Sequence, residues 1–213
     1  MGRKICLTGF SSYSREWAND QEDDVEIWGM NECHLFLNRW DRWYQIHPTD
    51  WEKERAIKRG FPGDCYGRPQ VHVDFLAKCG VPVYQQALDP RIPTSTLYPY
   101  KEITEAFGWP LYLTSTLAYM SAHAALEHKQ GKTIDTLTWA GIELIMGTEY
   151  FFQRACFEYY LGNLQGMGVK LIRPEPPYSS QVLADPVYGR DSKGPMGPID
   201  IGEVMGWNKK AAV

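Results

Sequence analysis

The sequence predicts a single α/β domain, Rossmann-like in its order of elements, with a mostly parallel sheet and an extended C-terminal arm. Three observations carry this. The stretch from Tyr112 to Pro174 reads helix, strand, loop, helix, strand, the second half of a nucleotide-binding α/β domain. Its polar residues gather where its strands end, which is where such sheets hold ligands. Beyond Asp185, Gly and Pro recur through Gly194-Pro195-Met196-Gly197-Pro198, a composition that builds no core by itself. The nucleotide-binding domain is therefore set at 1–184 and the arm at 185–213.

Lys4–Thr8 is a β-rich run followed at once by Gly9-Phe10-Ser11-Ser12. Such a turn can take a phosphate: small residues let backbone N–H groups approach a ligand, and serine hydroxyls add donors. A bare strand and turn is the alternative, because neither GxGxxG nor a Walker lysine is present. Ser14–Asn19 reads as a short helix and Asp20–Asp24 as a solvated acidic loop. A second strand, Val25–Asn31, ends in Gly29-Met30-Asn31. Asn carries a donor and an acceptor, so Asn31 either reads a base or ribose at the strand's end or caps the next helix.

Trp40–Pro48 holds a third strand, with His47 at its C-terminal end, aimed at the same crevice as Gly9 and Asn31. Asp50–Lys58 reads as a helix, 59–69 as an exposed loop, Val71–Lys78 as a helix and Val81–Gln85 as a strand. Asp89–Tyr98 reads as irregular, with prolines that exclude helix, and serves as a lid, a substrate loop or a plain connector. Tyr100–Phe107 is a short helix broken by Gly108-Trp109-Pro110.

Thr114-Ser115-Thr116 opens the next helix, whose core face carries Leu117, Met120 and Ala124. A cap needs one hydroxyl; three at a helix N-terminus suit an anion. The strand Ile134–Ala140 then ends in Gly141-Ile142-Glu143. In the loop beyond it, Glu149 can accept a proton, Tyr150 can donate to a leaving phosphate, Arg154 can pair with phosphate, and Gln153 is a further candidate for binding the nucleotide. The alternative is a polar loop with aromatics packed beneath it. A last strand covers Val169–Ile172.

The bulk composition narrows the partners. Net charge is −4 with no Lys/Arg stripe, which argues against duplex nucleic acid. No apolar run approaches the length of a membrane span. The five cysteines are scattered without a CxxC pair, which fits a reducing cytoplasm and no metal centre. The arm carries Ile199, Ile201, Val204, Met205 and Trp207, an apolar set that expects a neighbouring subunit and hence a homo-oligomer.

The run from Thr114-Ser115-Thr116 through Gly141-Ile142-Glu143, the Tyr150 loop and the closing Pro174 and Ser179-Ser180 resembles the C-terminal half of bacterial sialyltransferases of the Campylobacter type. It is also similar to the 6-hydroxymethylpterin diphosphokinase-like Rossmann family. Trp28-Gly29-Met30-Asn31 and Tyr150-x-x-Gln153-Arg154 resemble stretches of tailed-bacteriophage proteins. The resemblance implies that Gly9 and Ser11 lie by a nucleotide, that Asn31 touches base or ribose, that Ser115 contacts the nucleotide, that Glu143, a candidate nucleotide-binding residue, replaces the family's Asp, and that Tyr150 faces the phosphate. Two positions depart from it. The first turn is Gly9-Phe10-Ser11-Ser12 where the family has Gly-Asn-Gly-Pro-Ser, and no His follows His128 where the sialyltransferases place their catalytic base.

The expected function is therefore glycosyl transfer from a nucleotide-activated donor, without metal or other cofactor, with His47 or Glu149 as base and Tyr150 at the leaving phosphate. Sequestration of a host nucleotide by a phage protein, or phosphoryl transfer of the diphosphokinase kind with Mg²⁺, are the alternatives.

Overall fold

The computed structural model describes residues 2–49, 69–108, 112–144, 151–178, 180 and 182–183. Among these, seven strands run β1 (Arg3–Thr8), β2 (Val25–Met30), β3 (Arg42–Tyr44), β4 (Val83–Gln85), β5 (Ser95–Leu97), β6 (Ile134–Ala140) and β7 (Lys170–Ile172). They form one sheet in the order β5-β4-β3-β2-β1-β6-β7, and every pairing is parallel. Four helices flank it: α1 (Pro69–Lys78), α2 (Tyr100–Phe107), α3 (Thr116–Lys129) and α4 (Phe151–Gly166). All belong to one compact unit, Met1–Val182. The expected α/β domain is present, and its sheet is parallel throughout the described strands. The expected helix at Asp50–Lys58 and the arm at 185–213 lie outside the described residues.

Strand order locates the crevice. The chain starts in the middle at β1, builds outward through β2, β3 and β4 to β5, then returns to lay β6 and β7 on the other side of β1. The reversal falls between β1 and β6, and ligands of open parallel sheets lie beyond the strand ends at such a point. Both faces of the central strands are covered, so β1 is buried at four successive positions, Ile5, Cys6, Leu7 and Thr8.

One stretch differs from its reading. Asp89–Tyr98 contains β5, where the sequence showed only an irregular loop. Prolines exclude helix but tolerate an edge strand, and the backbone bonds Val83 N–Thr94 O (3.0 Å) and Tyr98 N–Gln85 O (2.8 Å) tie this segment to β4. The helix before the long connection behaves as read: α2 ends where Gly108, at φ 69°, takes the left-handed position that closes a helix.

Helix α3 departs further. Leu117, Met120 and Ala124 are buried as expected, but so are Ser121, His123 and Glu127. Its polar residues face the sheet. Tyr44 Oη meets His123 Nδ1 at 2.9 Å. Glu127 Oε2 forms ion pairs with Arg3 of β1 at 2.8 Å and Arg42 of β3 at 3.0 Å, and Lys132 holds Glu127 Oε1 at 2.8 Å. Arg3 also donates through Nη2 to Glu26 of β2 at 2.7 Å, and the Arg42 guanidinium lies 4.5 Å from the centroid of the Trp28 ring. Two positions further along β3, from Arg42 to Tyr44, the contact moves back four positions along α3, from Glu127 to His123. The helix therefore runs antiparallel to the strands, and its N-terminus lies at their C-terminal edge.

This network makes the fold acid-sensitive. Burial alone raises the Glu127 carboxyl, but Lys132, Arg3 and Arg42 outweigh it and bring the group from 4.5 to about 2. Burial drives His123 from 6.5 down to about 3. Both folded-state values are depressed, so the unfolded chain takes up protons first as pH falls. Stability is lost below about 6.5 through His123 and between 4.5 and about 2 through Glu127. Glu127→Gln removes the carboxylate shared by Arg3, Arg42 and Lys132, leaving Arg3 its pair with Glu26 and Lys132 its solvent, and is expected to remove on the order of 3 kcal/mol near pH 7 and to flatten the acid limb. Urea midpoints measured from neutral pH downward check both; a midpoint equal to that of the parent chain contradicts the account.

Candidate functional site

At the switch point, β1 and β6 end in two glycines that touch. A Cβ on Gly9 would stand 2.5 Å from the Gly141 carbonyl oxygen, and a Cβ on Gly141 would stand 2.3 Å from the Gly9 oxygen. Gly141 also sits at φ 69°. The turn is then bonded across: Gly9 N–H donates to the Ala140 carbonyl and Ser11 N–H to the Gly141 carbonyl, each at 2.8 Å. This corrects the reading of the turn, because those two N–H groups serve β6 and are not left for a phosphate. Ser11 Oγ accepts from Tyr13 N–H at 3.3 Å, Ser12 is exposed, and Phe10 packs edge-on against Phe36 with ring centroids 5.9 Å apart.

A hydroxyl the sequence did not single out, Ser14, closes the floor. Its Oγ accepts from Gly141 N–H at 2.9 Å and donates to Glu143 Oε1 at 3.5 Å, placing the buried Glu143 carboxylate under the crevice. The far side is pinned by Ser180, whose Oγ donates to the Ile142 carbonyl at 2.7 Å and accepts from Trp139 Nε1 at 3.0 Å.

Asn31 follows β2, beside the end of β1. Its backbone is left-handed, at φ 45°, and is held from both sides: Asn31 N–H donates to the Tyr44 carbonyl, and Trp43 Nε1 donates to the Asn31 carbonyl, both at 3.1 Å. Its side-chain oxygen is buried and has no hydrogen-bond partner among the described residues. The capping alternative fails, because the 3-10 turn that follows, Cys33–Leu35, has Glu32 at its N-cap position. An orphaned buried acceptor carries a desolvation cost of about 1–3 kcal/mol until a donor reaches it. Gly29 has a packing explanation: an added Cβ would lie 2.2 Å from the Trp43 ring.

The start of α3 resolves into three roles. Ser115 is the N-cap, its Oγ accepting from Ala118 N–H at 3.3 Å; Thr116 is buried; Thr114 is exposed. In the first turn of α4, Arg154 Nε donates to Glu158 Oε1 at 2.9 Å, one turn along its own helix, and Gln153 lies beside it in sequence. Glu149 and Tyr150 lie outside the described residues.

His47 belongs to a different opening. It is exposed and lines a cleft of about 390 Å³ beyond the ends of β3 and β4, together with Gln45, Gln85, Asp89 and Arg91. The sequence reading passed over those four; the only signal was a Gln at the end of each strand.

No family model matches the chain, and no curated protein matches it. Solved structures do share its fold. A tyrosine-to-phenylalanine variant of the sialyltransferase CST-II in complex with CMP superposes with a TM-score of 0.50 at 10% identity, over 87% of this chain and 89% of that chain. CST-II with a trisaccharide acceptor and CMP gives 0.49 at 10% identity, over 87% and 89%. CstII from Campylobacter jejuni in complex with cytidine-5'-monophosphate gives 0.48 at 11% identity, over 84% and 85%. At these identities the likeness is one of fold.

The packing around Gly29 yields a test. Trp43 is wholly buried and its Nε1 is bonded, so the ring has nowhere to go. Gly29→Ala is expected to destabilise the fold by about 1–3 kcal/mol, the range for an overpacked core. The denaturant midpoint reads this directly. An unchanged midpoint would show that Trp43 yields and that Gly29 has another purpose.

Proposed function

We propose that the crevice beyond β1, β2 and β6 holds the nucleotide of an activated sugar donor, and that the chain is a glycosyltransferase. The observation that carries this reading is the switch point itself, where β1 and β6 part beside β2 and Asn31 follows β2 on a left-handed backbone. Asn31 Oδ1 is sealed and unpartnered among the described residues, and a base N–H or a ribose O–H supplies the missing donor once the groups covering it move apart. The choice of a nucleotide is supported by the fold shared with a sialyltransferase that binds CMP.

In the proposed transfer, an acceptor hydroxyl oxygen bonds to the anomeric carbon while the anomeric C–O bond to phosphate breaks. The electron pair leaves on the phosphate oxygen, and the hydroxyl proton passes to His47 or to Glu149. Gly9, Phe10, Ser11 and Ser12 line one side of the nucleotide, Gly29 backs Asn31, and Gly141 and Glu143 form the floor. Thr114, Ser115 and Thr116 place the positive end of α3 at the strand edge where the phosphate leaves. Tyr150, Gln153 and Arg154 meet the charge that develops there. Arg154 does so by releasing Glu158, a same-helix pair worth only about 0.2–0.5 kcal/mol.

Calorimetric titration with CMP, UMP, GMP and AMP is the test. At least one should bind, Asn31→Ala should weaken that binding by roughly tenfold, and EDTA should leave it unchanged. Absence of heat with every nucleotide and nucleotide sugar sinks the reading; loss with EDTA and recovery with Mg²⁺ favours phosphoryl transfer instead. His47→Ala or Glu149→Gln should lower donor turnover by ~10²–10⁴-fold with affinity retained. Tight binding without any turnover would leave sequestration as the function.

A further inference from the structure

The cleft beyond β3 and β4 has its own chemistry. Two carboxamides lie almost wholly buried in its lining, Gln45 at 2% exposure and Gln85 at 4%. Each has its oxygen engaged. Gln85 Oε1 accepts from Ser95 Oγ at 2.6 Å. Gln45 Nε2 donates to the His47 carbonyl at 3.0 Å, so its oxygen faces His72 Nε2 at 2.8 Å, and that imidazole nitrogen carries the hydrogen. The Gln45 amide is thereby set from behind; Gln85 has its Oε1 on Ser95 Oγ, which leaves Nε2 as its open donor. Gln45 has a second N–H, and no described residue accepts from Gln85 Nε2. That nitrogen is also absent from the sealed, unpartnered atoms of the interior, so solvent or a ligand reaches it.

Asp89 forms a closed, fully bonded wall, with the Arg91 backbone N–H donating to its Oδ1 at 3.0 Å. Arg91 grips it with Nε on Oδ1 at 2.9 Å and Nη2 on Oδ2 at 2.6 Å, and Thr49 Oγ1 donates to Oδ2 at 2.6 Å. Carboxylate and guanidinium are paired with each other, so Asp89 presents no free negative charge to the cleft. Pro48, Ala87, Leu88 and Pro90 add apolar surface.

These features choose among ligands. An anion meets a cation already neutralised and a carboxylate beside it. A wholly apolar molecule leaves the Gln85 amide desolvated without a partner, at a cost of about 1–3 kcal/mol. A neutral sugar answers the remaining features: neighbouring hydroxyls accept from the amide donors, and the ring's C–H face covers proline and leucine.

We propose that this cleft binds a neutral sugar ring through its hydroxyls. The inference stands whether or not the crevice takes a nucleotide. Where both hold, it deepens the glycosyltransferase reading: the cleft is the acceptor subsite, with His47 at its edge.

The test follows the side-chain amide resonances of Gln45 and Gln85 by NMR. Methyl β-galactoside, methyl α-glucoside and N-acetylglucosamine are added in turn, with inorganic phosphate as the charged control. At least one sugar should move both amide pairs, and phosphate should move neither. Gln85→Leu should weaken the responding sugar by about tenfold, with CMP titration as a separate arm. Should that variant not fold, Gln85→Glu replaces the amide donor by an acceptor and is expected to lose the sugar likewise. The proposal is overturned if no sugar moves either amide, if phosphate moves them in place of sugars, or if a folded variant binds the sugar as well as the parent does. Sugar binding in a chain that ignores every nucleotide would remove the crevice reading and leave this one standing.

Discussion

The buried carboxylate of Glu127 is the interaction on which the arrangement depends. It is 2% exposed and draws in Arg3 from β1, Arg42 from β3 and Lys132 from the turn after α3. An isolated carboxylate could not be carried there, because desolvation would neutralise it; with three cations around it, it stays ionised. The consequence is geometric. Glu127 fixes the C-terminal end of α3 to the strands' N-terminal edge, and the helix rises about 1.5 Å per residue. Its fourteen residues therefore bring Ser115 to the opposite edge, where Gly9, Asn31 and Gln45 emerge. An ion cluster at one edge of the sheet thus aligns the candidate site at the other.

At that other edge, packing explains most of the small residues and leaves a few groups unexplained. Gly9 and Gly141 exist for each other, since two strand ends meet there backbone to backbone. Gly29 exists for Trp43. The N–H groups of Gly9 and Ser11 close the turn onto β6. Once these needs are met, the orphaned Oδ1 of Asn31 and the Nε2 of Gln85 remain, and no described residue pairs with either.

Much of the fold was legible in the sequence where local signals agree. β6 begins and ends as read, because an apolar run is cut by Gly141; α2 is bracketed by Pro99 and Gly108. β5 was hidden because three residues with polar Ser95 and Thr96 carry no period. The burial of His123 and Glu127 was hidden for a different reason. Their partners Tyr44, Arg3 and Arg42 are 79, 124 and 85 positions away, and no window along the chain joins them. The same limit applies to the site. Asn31 and Gly9 were visible as strand-end residues, but which polar group lacks a partner is a property of the folded interior. His47 lies beyond β3 and lines the cleft there, because the order of strands in the sheet, which sets β3 apart from β1 and β6, is not written in any local stretch of sequence.

No helix of the described residues is long and apolar enough to cross a membrane. The central claim is the position of the nucleotide. A crystal structure of the chain grown with CMP tests it most directly. The account predicts density beyond β1 and β6, with a base or ribose donor within hydrogen-bond distance of Asn31 Oδ1. CMP bound elsewhere on the chain, with Asn31 Oδ1 still unpartnered, would contradict it.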